Sequence, residues 1–286
     1  MPNLTLGNMY SCSDNGKPGN ILSPVPADNN GGWNTFSFLF AGKNKHGQNR
    51  IYAVNEGGQL LSYAPTNPLS GEVIVGADGW GFGQNFSAVF AGVNKLGENH
   101  IYAVTMPSDY YNTGQLLSYS DDGTPGNVGN PHPVVVGADG WQRDNMATVF
   151  AGKDSAGNGR IYAVNHHGNL LSYVDDGKPG NVGGPVVVGK GIWVDMFMFL
   201  FAGANAAGQN RIYGVNKLGQ LLSYAPTNPV SNEVIVGEPG VINSGMPSPN
   251  GNRGWSGLVA SATSSGLGLC VAVNSAGQNR IYGVYS

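Results

Sequence analysis

The sequence predicts an all-β protein, a five-bladed β-propeller with four antiparallel strands in each blade. Three observations lead there. The pair Ile-Tyr recurs at Ile51-Tyr52, Ile101-Tyr102, Ile161-Tyr162, Ile212-Tyr213 and Ile281-Tyr282. Five tryptophans, Trp33, Trp80, Trp141, Trp193 and Trp255, interleave with those pairs one for one. The chain begins and ends in the middle of a unit. A period of about fifty to sixty residues marks an array of small units, stacked or circular.

Within one unit the elements follow in order. Residues 36–41, Phe-Ser-Phe-Leu-Phe-Ala, read as the first strand. A polar turn rich in Asn and Gly follows, then a second strand over residues 50–54. Residues 55–58 turn again, residues 59–63 form the third strand, and residues 73–75 the fourth. Each run is short, rich in β-branched and aromatic residues, and bounded by turn formers. No segment carries a sustained helical period. Radial repetition of such sheets leaves few exposed strand edges.

The ends separate a ring from an open solenoid. The segment from Gly7 to Asn20 matches the one from Gly168 to Asn181, a third strand and the turn after it. The segment from Gly277 to Val284 matches the one from Gly208 to Val215, a second strand. The C-terminus thus supplies strands one and two of a blade whose strands three and four come from the N-terminus. A ring needs that closure; a solenoid needs caps instead. The expected organisation is one domain over residues 1–286. Its blades span about 33–79, 80–140, 141–192 and 193–254, with 255–286 completed by 1–32.

Composition narrows the function. Charged residues are 11% of the chain and the net charge is -3, with no basic run. That excludes the Lys and Arg clusters that neutralise phosphates, so no nucleic-acid partner is expected. No apolar stretch has the length of a membrane span, so no membrane insertion is expected. The first six residues, Met-Pro-Asn-Leu-Thr-Leu, lack the form of a secretory signal. A cytoplasmic or non-classically exported protein is the expectation, and the sequons at Asn3 and Asn85 read as chance. Cys12 and Cys270 fall on strands separated by a third. That places them ~9–10 Å apart, beyond the ~7 Å reach of a disulfide.

Topology also locates a ligand. In an antiparallel meander, the connector from strand four to the next blade shares a face with the turn between strands two and three. The connectors carry Asp78-Gly79-Trp80 and Asp139-Gly140-Trp141; the turns carry Asn55, Asn165 and Asn216. A cleft there joins an aromatic ring, which suits the C–H face of a sugar, to amides and carboxylates that suit its hydroxyls. The candidate residues are Trp33, Asn34, Asn55, Asp78, Gly79, Trp80, Asp139, Gly140, Trp141, Asn165, Trp193, Asn216 and Trp255. The same indoles also fit a packing role between blades, and each Asn or Asp fits a turn. The clefts are expected to be unequal, because the connector before Trp193 lacks the Asp.

The ordered set Gly31-Gly32-Trp33-Asn34-Thr35-Phe36, Ile51-Tyr52-Ala53-Val54 and Gly58-Gln59-Leu60-Leu61-Ser62-Tyr63 resembles the repeat of the tachylectin-2 family of five-bladed propeller lectins. It recurs along essentially the whole chain. The resemblance implies a multivalent lectin, not an enzyme, that binds N-acetylglucosamine or N-acetylgalactosamine on glycans or glycoproteins at clefts between blades. No cofactor or metal is implied. One departure is plain: the Asp-Asn-Trp run before the family's fourth strand is missing here.

Other constellations read as structure. His166-His167 sits in one turn of one unit. Asp121-Asp122-Gly123 and Asp175-Asp176-Gly177 look like calcium loops, but the same places hold Ala-Pro-Thr in other units. Arg50, Arg160, Arg211 and Arg280 open second strands and read as surface or inter-blade hydrogen-bond donors. Glycoside hydrolysis needs paired carboxylates, and the first strands hold neither Asp nor Glu. A protein-interaction propeller is the alternative function, and a glycosidase is a more remote one.

Overall fold

A computed structural model describes residues 7–21, 25–81, 85–106, 114–129, 132–141, 145–237, 242–243, 255–256 and 269–285. The protein is a five-bladed β-propeller. The first blade pairs Phe38–Lys43, Asn49–Val54, Leu60–Ala64 and Ser70–Gly76 in sequence order. The second, third and fourth repeat this order from Phe86–Val93 to Val134–Gly137, from Met146–Lys153 to Val186–Gly189, and from Phe197–Ala204 to Ser231–Gly237. The first strand of the first blade starts two residues later than the sequence suggests. Trp33–Thr35 form a 3-10 turn ahead of it, closed by Thr35 N–H donating to the Gly32 carbonyl at 3.1 Å.

The fifth blade closes the ring as the repeat predicts. Leu269–Val273 pairs with Asn279–Tyr285, which pairs with Met9–Cys12, which pairs with Val25–Asp28. The joining register sets Met9 opposite Val284 and Cys12 opposite Ile281. Cys12 and Cys270 are buried free thiols on the two strands that flank Asn279–Tyr285. Trp255–Ser256 adds a short pairing to the end of the same strand, with Trp255 opposite Tyr285. Among the described residues no helix is long and apolar enough to cross a membrane.

Both faces of each blade are buried, so the second strands, after an opening Arg or His, run Ile-Tyr, Ala or Gly, then Val. Ile51 and Ala53 face the cluster shared with the fifth blade, while Tyr52 and Val54 face the cluster shared with the second. The core therefore lies in the blade interfaces. Cross-strand stacks of Phe40 on Tyr52, Phe90 on Tyr102, Phe150 on Tyr162 and Phe201 on Tyr213 recur at 5.1–5.5 Å. Each adds about 0.5–1.5 kcal/mol to its area burial.

Near the axis the first strands crowd, and the repeated Ala-Gly answers that. A Cβ on Gly42 would stand 2.3 Å from the Ala91 Cβ, and one on Gly152 would stand 2.4 Å from the Ala202 Cβ. Any side chain there would prise two blades apart.

The loop between strands three and four of each blade docks on its predecessor. Gly126 N–H donates to the Ile74 carbonyl at 2.9 Å and Val128 N–H to the Val75 carbonyl at 2.8 Å. Gly180 and Val182 repeat this on Val135 and Val136, and Gly19 and Ile21 on Ile235 and Val236.

Candidate functional site

The connector and the second turn meet on one face, as the meander requires. The backbone N–H of Trp80 donates to the Gly58 carbonyl at 2.8 Å; Trp141 does so to Gly114, Trp193 to Gly168 and Trp33 to Gly7 at 3.0–3.1 Å. These bonds fix where each indole enters the blade interface. Fourth strands end in Gly76, Gly137 and Gly189 because the indole lies against that backbone. A Cβ there would stand 2.2–2.5 Å from the indole Nε1 of Trp80, Trp141 or Trp193. In the fifth blade Asp28 holds this place, and its carboxylate accepts from Trp33 Nε1 at 2.9 Å.

The described indoles are 4–5% exposed. Trp80 packs on Phe86 and Tyr119, Trp33 on Phe36 and Tyr63, Trp141 on Tyr173, and Trp193 on Phe197 and Tyr224, with centroids 4.7–5.2 Å apart. Protein rings thus cover the faces that the sequence reading offered to a sugar, and the indole edge is what remains. The Trp255 side chain lies outside the described residues.

Beside Trp80 a cleft of about 400 Å³ opens between the first and second blades. Asp78, Gly79 and Trp80 line it, as the sequence reading proposed, together with Asn85, Phe86, Tyr119, Val128 and Pro133. Asp78 is exposed at the rim. Asn85 Nδ2 donates to the Gly79 carbonyl at 3.0 Å, a bond that does not use its amide oxygen. Gly79 takes φ +106°, and a Cβ on it would stand 2.9 Å from Asn85 Nδ2, so the turn and the amide are built together. Val128 reaches the cleft because its loop pairs with the first blade's outer strand. Burial raises the Tyr119 phenol to about 12, so it stays a neutral donor.

Asp139 is equally exposed in the next connector, and Gly140 faces Asn145 there, repeating the Gly79–Asn85 arrangement at longer range. Asn55, Asn165 and Asn216 do not line the Trp80 cleft. Their side-chain oxygens accept backbone N–H groups of their own turns, from Gln59 at 2.9 Å, from His167 and Asn169 at 3.1 and 3.0 Å, and from Leu218 and Gln220 at 3.0 Å. Asn34 is exposed over Gly7, where a Cβ would stand 2.9 Å from its Oδ1. Sequence reasoning missed Asn85, Tyr119, Val128 and Pro133. The only local signal was the sequon at Asn85, which read as chance.

The Asp-Asp-Gly loops use their carboxylates internally. Asp121 Oδ1 accepts from Gly123 N at 2.7 Å and Asn127 Nδ2 at 3.0 Å, and Oδ2 accepts from Tyr52 OH at 2.8 Å. The arginines bond within their own blade rather than across it: Arg50 and Arg211 donate to Ser62 and Ser223, each at 2.7 Å.

No family model matches the chain, and no curated protein sequence does. Among solved structures the chain is similar to AofleA from Arthrobotrys oligospora, at 12% identity over 82% of this chain and 68% of that one, with a TM-score of 0.43.

Proposed function

We propose that the protein is a multivalent carbohydrate-binding propeller, a lectin rather than an enzyme, whose clefts take N-acetylated hexosamines such as N-acetylglucosamine and N-acetylgalactosamine on glycans. The observation that carries this is the Trp80 cleft. It joins an aromatic floor of Trp80, Phe86 and Tyr119 to one carboxylate, one amide and exposed backbone, at about 400 Å³. Ring edges suit an acetyl methyl and the C–H groups of a hexose; Asp78 and Asn85 suit its hydroxyls and amide. Among the described residues Asp78 is the single carboxylate lining the cleft, short of the pair that glycoside hydrolysis uses. The motif resemblance to tachylectin-2 supports the same sugars, and repetition turns weak sites into avidity.

The test is calorimetry with both amino sugars, backed by a broad glycan array. Asp78→Ala and Asn85→Ala are each expected to weaken sugar binding at this cleft about tenfold or more, the loss of one hydrogen bond to a charged or well-placed polar group. Asp78 is exposed, so its melting should hold, while Asn85→Ala also gives up the bond to the Gly79 carbonyl and its melting is measured beside binding. Absence of binding to either sugar and to the whole array would sink the proposal and leave a protein-interaction propeller in its place.

A further inference from the structure

On the opposite face, where strands one and two turn, the five blade interfaces fall into two kinds. In three of them a buried carboxylate from the loop after strand three reaches the tyrosine of the preceding blade. Tyr52 OH donates to Asp121 Oδ2 at 2.8 Å, Tyr102 OH to Asp175 Oδ2 at 2.7 Å and Tyr213 OH to Asp14 Oδ2 at 2.8 Å. All three aspartates are 2% exposed. In the other two interfaces Pro226 and Pro65 stand at the aspartate's place in the repeat. The backbone docking survives this exchange. Lys45 N–H donates to the Asp121 carbonyl at 2.7 Å, and Ser155 and Ser275 N–H donate to the Pro226 and Pro65 carbonyls at 3.2 and 3.1 Å. The aspartate side chain and the glycine bond of its longer loop are lost, and where the carboxylate would stand lies a pocket.

The two pockets are built from the same repeat positions. One, of about 180 Å³, is lined by Tyr282, Arg280, Ser11, Ser275, Pro65 and Thr66 among others. The other, of about 150 Å³, is lined by Tyr162, Arg160, Ser172, Ser155, Pro226 and Thr227 at the same repeat positions. They differ in charge. Arg160 donates from Nε to Asp154 Oδ2 at 3.0 Å. Asn274 replaces that aspartate in the other pocket, which no acidic residue lines among the described residues. There, among the described residues, Arg280 donates to neutral acceptors, Ser13 Oγ at 2.9 Å, the Ser11 carbonyl at 3.0 Å and Ser11 Oγ at 3.1 Å.

We propose that the pocket beside Tyr282 binds a small carboxylate, which accepts from the Tyr282 hydroxyl as the aspartates do in the other interfaces, and that the Tyr162 pocket is its weaker copy. The fold itself shows the binding mode three times, with the carboxylate supplied in the chain. The Tyr282 pocket's 180 Å³ holds about six waters' worth of liquid, at ~30 Å³ each, which fits a carboxylate on a short stem. The uncompensated Arg280 adds charge complementarity that the Arg160–Asp154 pair cancels. Burial keeps the Tyr282 phenol protonated to about 12, so the donor is present at neutral pH.

Thermal melting with acetate replacing chloride at constant ionic strength and neutral pH tests this. Acetate stabilises proteins generally by exclusion from their surface, so the comparison among variants decides. Melting of the wild type should rise with acetate beyond the rise seen in Pro65→Asp, which returns the carboxylate to the pocket. Tyr282→Phe, which leaves the loop intact, should weaken the acetate response several-fold and decides the matter if Pro65→Asp does not fold. Pro226→Asp should keep most of the wild-type response. An acetate dependence unchanged in both Pro65→Asp and Tyr282→Phe would overturn the proposal, as would its loss in Pro226→Asp alone.

Discussion

The interface between the first and second blades and the interface between the third and fourth share one scaffold and differ in the loop after strand three, which brings a buried carboxylate to the first and a proline to the second. Tyr52 in the first meets Asp121, and the equivalent Tyr162 in the second lines a pocket together with Pro226. Strand pairing, the stacked phenylalanine and the backbone hydrogen bond from the turn are common to both. What the difference teaches is that closure of the ring does not depend on the buried carboxylate. Packing and backbone docking suffice at two interfaces, and the carboxylate is an added polar lock at three. Such a lock stabilises only while every member is satisfied, since a half-satisfied buried group costs more than an apolar contact.

The largest effect should come from breaking the lock on one side. Asp121→Ala removes the acceptor for Tyr52 OH, Gly123 N and Asn127 Nδ2 together, and leaves a buried hydroxyl without its partner. A loss of about 3–5 kcal/mol is expected, the range for stripping one member from a buried polar network. Pro226→Ala, at the same repeat position, should change stability by no more than about 1 kcal/mol, through the unfolded chain. Urea unfolding of the two variants measures both, and equal losses would erase the distinction between the interfaces.

Removing the other partner should cost less. Tyr52→Phe keeps the ring stack and forfeits one hydrogen bond to a carboxylate, about 1.5–3 kcal/mol. Tyr162→Phe forfeits no inter-blade carboxylate contact and should cost under about 1 kcal/mol. Absorbance titration of the phenols gives a second readout. Burial, with the neighbouring carboxylate added, raises Tyr52, Tyr102 and Tyr213 far above the ordinary value of 10.0. Burial without such a carboxylate brings Tyr282 only to about 12. A raised tyrosine favours the folded state fully below the unfolded value and less as pH climbs toward the folded one. The protein should therefore lose stability above pH 10, with Tyr282 ionising before the three locked tyrosines.

Much of the fold could be read from the sequence because its cause is periodic. Ile-Tyr alternation sends successive side chains to opposite buried faces, and the matched half-units at the two ends dictate the closing register. The axis could be read less well. Ala-Gly in the first strands follows from crowding between blades, and one chain gives no measure of that distance. The candidate site was half legible. Asp78, Gly79 and Trp80 are adjacent in sequence and stay together in the cleft. Val128 and Pro133 join them only because the docking loop carries residues about fifty positions downstream onto the first blade's edge, while Asn85, near in sequence, joins through its bond back to the Gly79 carbonyl. The three turn asparagines were legible as turn formers, and their side chains are spent there. Pro65 and Pro226, which split the interfaces into two kinds, were visible as exceptions to the Asp-Asp-Gly loops. Their meaning needed the tyrosine of the preceding blade.

The smallest effect concerns the charge that separates the two pockets. Asp154 is partly buried; that burial pulls its carboxyl upward, but bonds from Asn158 and Arg160 outweigh it and hold the group below the usual carboxylate range. A depressed carboxylate contributes stability above its unfolded value and loses it as pH falls through the folded one. Asp154→Asn copies Asn274 of the other pocket, so the fold already tolerates the side chain at this position. The ion pair is peripheral, and its removal should cost no more than about 1 kcal/mol at neutral pH. The difference from wild type should shrink steadily as the pH is lowered through the acid range, because the wild-type aspartate is then protonated too. At neutral pH the same variant frees Arg160 from its counter-charge, so its melting should respond to acetate more steeply than the wild type's. A flat or weakened response would mean that charge does not distinguish the two pockets.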